Sequence, residues 1–265
     1  MQYNIVVATH HKTGTVWMST VFKAIARGLG VRYIDFWSNF EDLDRRLAAP
    51  YFLFNNDSMF LKHESVLDRD DVRVLHLIRD PRDVLISAMH YHRVARESWL
   101  HECIPGYGNA TYQQRLNAIA EPYDRYIFEL DRASGSTIQH MLEWRYDRPN
   151  CFEARYEALR ADSGMSLWAS IVQFLGLTAG EQRFARHCFW NHSLFGRVPA
   201  RNRRHVRSGA VAQWRTEFTP DMAQAFLQRF PNALQVLGYE GSDRWVDQLD
   251  ERVIAVPRSQ RRLSG

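Results

Sequence analysis

Asn4-Ile5-Val6-Val7-Ala8-Thr9-His10-His11-Lys12-Thr13-Gly14-Thr15-Val16-Trp17 passes from an apolar run through a polar loop into a helix start. Ile5, Val6 and Val7 are β-branched and uninterrupted by charge, which suits a parallel strand buried on both faces better than an edge strand. Beyond Val16, the residues Val21, Phe22, Ile25 and Leu29 fall on one helical face, and Gly30 is placed to end the helix in a left-handed cap. The first unit therefore reads strand, polar loop, helix.

The same shape recurs. Val72–Ile78 is rich in β-branched and aliphatic residues and runs into Arg79-Asp80-Pro81-Arg82-Asp83, where Asp80 as N-cap, Pro81 at the first helical position and Asp83 in the first turn predict a helix start. Further strands are expected within 31–36 and 51–63, and a third strand and helix pair in Cys151–Tyr156 and Ser166–Leu175, with Gly176 as the stop. Pro220 to Tyr239 reads as two helices interrupted at Pro231. Strands alternating with helices predict an α/β fold with a parallel central sheet flanked by helices. Residues from about 88 to 148 break the rhythm, being rich in Tyr, Trp, His and Arg and helical in tendency, and are expected to form a helical cap over the sheet's carboxyl edge. No Pro/Gly-rich linker divides the chain, so one domain is expected over 1–265, with a flexible tail over about 251–265.

The 265 residues carry 34 Lys+Arg against 30 Asp+Glu, a net charge of +4, and 45% are hydrophobic, the composition of a globular domain rather than a disordered or fibrous chain. The arginines are spread along the chain rather than gathered in one stripe, which argues against a nucleic-acid partner. Charges interrupt every apolar run well short of the roughly 18 residues that a membrane span needs. The start shows no signal-peptide pattern, and Cys103, Cys151 and Cys188 are odd in number with no Cys-x-x-Cys pair. A cytoplasmic location without a zinc site is the expectation. Lysine is scarce, with Lys12, Lys23 and Lys62 the whole set, so each invites a reason.

Lys12 stands in the loop between the first strand and helix. Amides at a helix N-terminus lack intrahelical acceptors and the helix dipole adds partial positive charge, so such a loop can cradle a phosphate or sulfate. Gly14 permits close backbone approach, Thr13 and Thr15 carry hydroxyls, and Lys12 supplies a full charge. The loop is not a Walker A motif, where the lysine follows the glycines. It resembles instead the 5′-phosphosulfate loop of sulfotransferases that use 3′-phosphoadenosine 5′-phosphosulfate (PAPS), Pro-Lys-Ser-Gly-Thr-Thr-Trp. Lys12, Gly14, Thr15 and Trp17 match it, while Thr13 replaces Ser, Val16 replaces Thr and His11 replaces Pro.

Arg79-Asp80-Pro81-Arg82-Asp83-Val84-Leu85-Ile86-Ser87 through His90 is similar to that family's 3′-phosphate segment, Arg-Asn-Pro-Lys-Asp-Val-x-x-Ser-x-x-His. An arginine fork at a helix start and a serine two turns on suit one phosphate. Arg207-Ser208-Gly209 through Trp214 and Phe218-Thr219 resembles the Arg-Lys-Gly…Trp…Phe-Thr segment that closes on the same phosphate, with Ser208 where lysine is usual and Arg203 or Arg204 available to compensate. Tyr156-Glu157 before Leu159 resembles Tyr-Glu-x-Leu, whose tyrosine contacts adenine in the family, and His192-Ser193-Leu194-Phe195 resembles His-Thr-Ser-Phe, which also borders the nucleotide.

The resemblance implies a P-loop-NTPase-like fold and sulfuryl transfer from PAPS to a hydroxyl or amine of a small acceptor, leaving 3′-phosphoadenosine 5′-phosphate (PAP), with no metal. It implies a nucleotide site of Lys12, Thr13, Gly14, Thr15, Val16, Trp17, Arg79, Ser87, Tyr156, Ser193, Phe195, Arg207, Ser208 and Gly209, with Trp17 stacked on adenine. Lys12 would meet the bridging oxygen, and Ser87 would hold that lysine until an acceptor arrives. The family places its base on a strand as Lys-x-His, and here Phe60-Leu61-Lys62-His63-Glu64 puts Glu64 at the base position by spacing and His63 by residue type. His11 is an outside candidate. A P-loop kinase or NTPase, and a nucleotide-binding protein without catalysis, are the alternatives. The aromatics Tyr91, Trp99, Tyr107, Tyr112, Tyr123 and Trp144 suit either a partly apolar acceptor or helix packing. Acceptor identity and oligomeric state, a homodimer being one option, are not read from the sequence.

Overall fold

The computed structural model describes residues 1–35, 50–55, 59–196 and 209–249. The described residues divide into two compact units, the first drawn from Met1–Arg79 and Thr137–Val211, the second from Asp80–Ser136 and the chain beyond Ala212.

In the first unit, strands β1 (Asn4–Thr9), β2 (Arg32–Asp35), β3 (Tyr51–Asn55), β4 (Val72–Ile78) and β5 (Cys151–Arg155) form a parallel sheet in the order β2-β3-β1-β4-β5. The expected α/β architecture with a parallel sheet is therefore present. Side-chain alternation along the strands fills both faces. Ile5, Val7, Phe52, Phe54, Leu75 and Leu77 pack with Met18, Val21, Phe22 and Ile25 of helix α1 (Thr15–Leu29). Val6, Ala8, Tyr51, Leu53, Val72 and Val74 pack on the other face with Phe60, Val66, Leu67 and Trp144. A strand buried on both faces favours apolar residues on both, which is why Ile5–Ala8 of β1 reads as a continuous run.

Helix α1 ends on Gly30 at φ 66, whose amide reaches the last carbonyls of the helix. The strand expected within 51–63 stops at Asn55. Met59–Lys62 is instead a 3-10 turn, and helix α2 (Glu64–Leu67) follows it. Phe60, Val66 and Leu67 are all buried under the sheet, and a helical winding brings these unequally spaced residues to one side as a strand could not.

The second unit is helical. It holds α3 (Pro81–His92), α4 (Tyr112–Ala118), α5 (Pro122–Leu130) and the start of α6 (Ala133–Glu143). The first unit's later helices are α7 (Tyr156–Ala161), α8 (Ser166–Phe174) and α9 (Ala179–His192); in the second, α10 (Trp214–Glu217), α11 (Pro220–Arg229) and α12 (Ala233–Val236) complete the described chain. Asp80 caps α3 as read, accepting from the Arg82 amide at 2.9 Å, with Pro81 inside the first turn. Arg82 is 2% exposed, pairs with Asp80 at 2.6 Å and Glu240 at 2.7 Å, and lies over the rings of Trp214 and Trp245 at 3.6 and 4.7 Å. Trp144, expected with the cap, belongs to the first unit, where it is 4% exposed and stacks on His76 at 3.9 Å. The tail over 251–265 lies outside the described residues.

Candidate active site

The loop after β1 stands at the carboxyl end of the central strand, between the neighbours β3 and β4, where an open parallel sheet leaves a crevice. Its backbone is wound around the His10 peptide. The Thr13 hydroxyl donates to the His10 carbonyl at 2.8 Å and accepts from the His10 amide at 3.0 Å, the Thr13 amide reaches the same carbonyl at 3.2 Å, and the Thr15 hydroxyl does so at 3.0 Å. Lys12, between these clamps, has φ 65 and Gly14 has φ 109. A left-handed non-glycine residue stores strain, and such strain collects where function over-determines the backbone. A Cβ on Gly14 would come to 3.1 Å of the Tyr156 ring, so only glycine leaves the loop this close to its wall.

Four of the expected motifs meet in the first unit. Arg79, 5% exposed, donates to the Lys12 carbonyl at 3.2 Å and to the Ala210 carbonyl at 3.3 Å, with its guanidinium 4.5 Å over the Tyr156 ring. The Gly209 carbonyl accepts from the Tyr156 hydroxyl at 3.4 Å and from Arg160 Nε at 3.1 Å. The anion loop, the arginine after β4, the tyrosine opening α7 and the Gly209–Ala210 stretch thus form one cluster. Arg160 was not among the expected residues, although it follows Tyr156 by one helical turn, a spacing that puts both on one face.

The remaining site residues are placed as follows. Val16 is exposed on the first turn of α1. Trp17 stacks on Phe189 at 5.3 Å and meets Tyr156 edge-on, and its indole Nε1 is buried without a hydrogen-bond acceptor among the described residues. The Thr13 hydroxyl has its one proton committed to His10, and the fully buried Ser193 hydroxyl donates to the Phe189 carbonyl at 2.6 Å, so both act within the fold rather than as outward donors. Phe195 is half-buried and packs against Phe189 and Trp190. Ser87 sits half-buried on α3 of the second unit. Arg203, Arg204, Arg207 and Ser208 lie outside the described residues.

Lys62, His63 and Glu64 lie at the end of a 3-10 turn and the start of α2, not on a strand where the family places its Lys-x-His. His63 is half-buried at the start of α2, and partial burial together with the Lys62 charge lowers its pKa, which keeps the imidazole neutral near pH 7. Glu64 pairs with Arg148 at 3.0 Å, and Arg148, 1% exposed, also pairs with Asp68 at 3.1 Å.

One buried group escaped the sequence reading. His10 Nε2 and His76 Nε2 stand 2.8 Å apart beneath the loop, the two residues 1% and 0% exposed. Burial holds both histidines far below their ordinary range, His76 at about 3, with the other ring and the nearby Arg148 and His140 adding to the effect. The pair is neutral and shares one proton. In the β1/β4 register His76 stands opposite Ala8, two residues before His10, a pairing that no local pattern in the sequence announces.

A nucleotide fits what is present: helix-start amides beside a lysine, a glycine where a side chain would close the loop, and a buried indole donor that lacks an acceptor among the described residues. Among the described residues no group of His, Cys, Asp and Glu could hold a metal ion, and no helix is long and apolar enough to cross a membrane. A family model for the sulfotransferase domain matches residues 2–238. Sulfotransferase 1A1 of Rattus norvegicus is 23% identical over 260 residues, covering 84% of this chain and 81% of that protein. A mouse sulfotransferase complexed with PAP has a similar structure, at TM-score 0.59 and 19% identity over 95% of this chain and 89% of that one. A retinol dehydratase in complex with androsterone and PAP matches at TM-score 0.51 and 18% identity, over 88% of this chain and 80% of that one. With the family's domain matched across nearly the whole length, the chain belongs to the sulfotransferase family.

Proposed function

We propose that this chain transfers a sulfuryl group from PAPS to a hydroxyl or amine of a small, partly apolar acceptor, with Lys12 at the bridging oxygen and His63 as base. The observation that carries it is the cluster of Lys12, Arg79, Tyr156 and Gly209 at the switch point of the sheet. Bound there, PAPS supplies an activated sulfuryl group on a phosphate leaving group. The chain's part is to hold anions and move one proton. The first-turn amides of α1 and Lys12 face the phosphosulfate; Arg79 and Gly209 hold the 3′-phosphate; Trp17, Tyr156 and Phe195 border the base. Structures of relatives with androsterone or retinol support a small acceptor for this chain as well. The free thiols of Cys103, Cys151 and Cys188 suit a reducing cytoplasm.

His63 is chosen over Glu64 on two grounds. Its lowered pKa keeps the imidazole unprotonated at neutral pH, as a base requires, and the Glu64 carboxylate is paired with a buried arginine. The test is an acceptor library incubated with labelled PAPS in excess EDTA. Sulfated product and PAP are the expected result. PAP binding with no acceptor sulfated would leave a nucleotide-binding protein without catalysis, and transfer that needs magnesium would leave a phosphoryl-type enzyme.

A further inference from the structure

We propose that the buried His10–His76 pair is a positioning device for Lys12, fixing the peptide around which the anion loop is wound. This rests on the sulfotransferase reading above, in which Lys12 meets the leaving group. His76 is immobilised from several directions: it sits in the interior of β4, its ring stacks on Trp144 at 3.9 Å with the planes 9° apart, and its Nδ1 faces the Glu153 carboxylate at 3.9 Å. Through the 2.8 Å bond between the two Nε2 atoms that rigidity passes to the His10 ring. The His10 main chain then holds the loop, with its carbonyl receiving both threonine hydroxyls and its amide meeting Thr13.

Lys12 comes two residues later, at φ 65, between the Thr13 clamp and the Arg79 bond to its own carbonyl. A lysine is the most flexible of cations, and its aim is set first by its backbone. The left-handed backbone of Lys12 is unfavourable on its own, so something must hold it, and the chain of contacts from Trp144 through His76 and His10 to Thr13 is rigid and dry throughout. A neutral histidine pair suits the task because an N–H donor to an imidazole nitrogen fixes both rings by direction and brings no charge beneath an anion site. His10 and His76 are thus positioning residues, reaching the donor only through Lys12.

The test is a double-mutant cycle read by PAP affinity and by kcat. His76→Phe keeps a flat ring against Trp144 and removes the hydrogen bond; PAP affinity and kcat are each expected to fall about tenfold, with the KM for acceptor unchanged. In a Lys12→Ala background the same substitution is expected to change either quantity less than twofold, because there is no ammonium left to aim. His76→Gln restores a donor and acceptor and is expected to recover most of the loss. Equal losses in the two backgrounds, or no loss in His76→Phe, overturn the inference. Should His76→Phe fail to fold, Thr13→Val cuts the same clamp from the loop side and is read by the same cycle. A wild-type chain that binds PAP but sulfates no acceptor sinks the functional reading, and the PAP cycle still decides the inference; a wild type that binds no PAP overturns both.

Discussion

At the scale of single residues, Lys12 and His63 carry different burdens and should fail differently. Lys12 contributes its ammonium to charge that develops on the leaving oxygen, so Lys12→Ala should lower kcat by about 10²- to 10³-fold, the usual cost of one electrostatic stabiliser. Its fold should survive, since Thr13 and Thr15 hold the loop to the His10 carbonyl and Arg79 holds the Lys12 carbonyl, bonds that the substitution keeps; circular dichroism and turnover measured together check this. Lys12→Arg should recover little, because a planar fork does not approach a bridging oxygen as a compact ammonium does. For the base, His63→Ala should lower kcat by about 10²- to 10⁴-fold. Glu64→Gln should stay within a few-fold of wild type in kcat and cost about 1 kcal/mol of stability by weakening the tie to Arg148. The reverse pattern in steady-state kinetics would move the base to Glu64.

At the scale of elements, legibility followed locality. The start of α3 was readable because its chemistry is contained in Asp80 and Pro81, and the end of α1 because Gly30 alone can adopt the cap. Strand β1 was readable because both of its faces are buried, so its middle, Ile5–Ala8, is apolar without a break. Met59–Leu67 was not, because what winds it is burial of Phe60, Val66 and Leu67 beneath a sheet whose placement no local pattern announces. The Arg82 clamp was equally hidden, since its partners Glu240, Trp214 and Trp245 are far along the chain. That clamp should dominate the second unit's stability. Arg82→Met would leave Asp80 and Glu240 facing each other without their shared cation, and removal of one member of a buried ionic cluster costs about 3–5 kcal/mol. Urea denaturation followed by tryptophan fluorescence reads it, and a loss below about 1 kcal/mol would show the cluster to be incidental.

At the scale of the whole molecule, cation usage separates site from surface. Lys23 is half-exposed and pairs with Asp35 at 2.7 Å, whereas Lys12 is set in the loop under several constraints, so the scarce lysines do not share one purpose. Composition could raise that question but not answer it, because which lysine is constrained depends on contacts made in space. The same holds for histidine. His10 and His76 are buried neutral, with folded pKa values held by burial far below the roughly 6.5 of an unfolded histidine. Between those limits the unfolded chain binds more protons than the folded one, so stability must fall as pH drops below about 6.5 and must be fully present above it. Glu153 acts in the opposite sense, its carboxyl raised by burial, but it is present with or without His76 and largely cancels in a comparison. Tm measured from pH 7 down to pH 4.5 should therefore fall more steeply for the wild type than for His76→Phe, which has one fewer buried imidazole to protonate. Parallel slopes would mean that the buried pair is already relieved of its proton deficit by some other route, and the neutral state assigned to it would have to be abandoned.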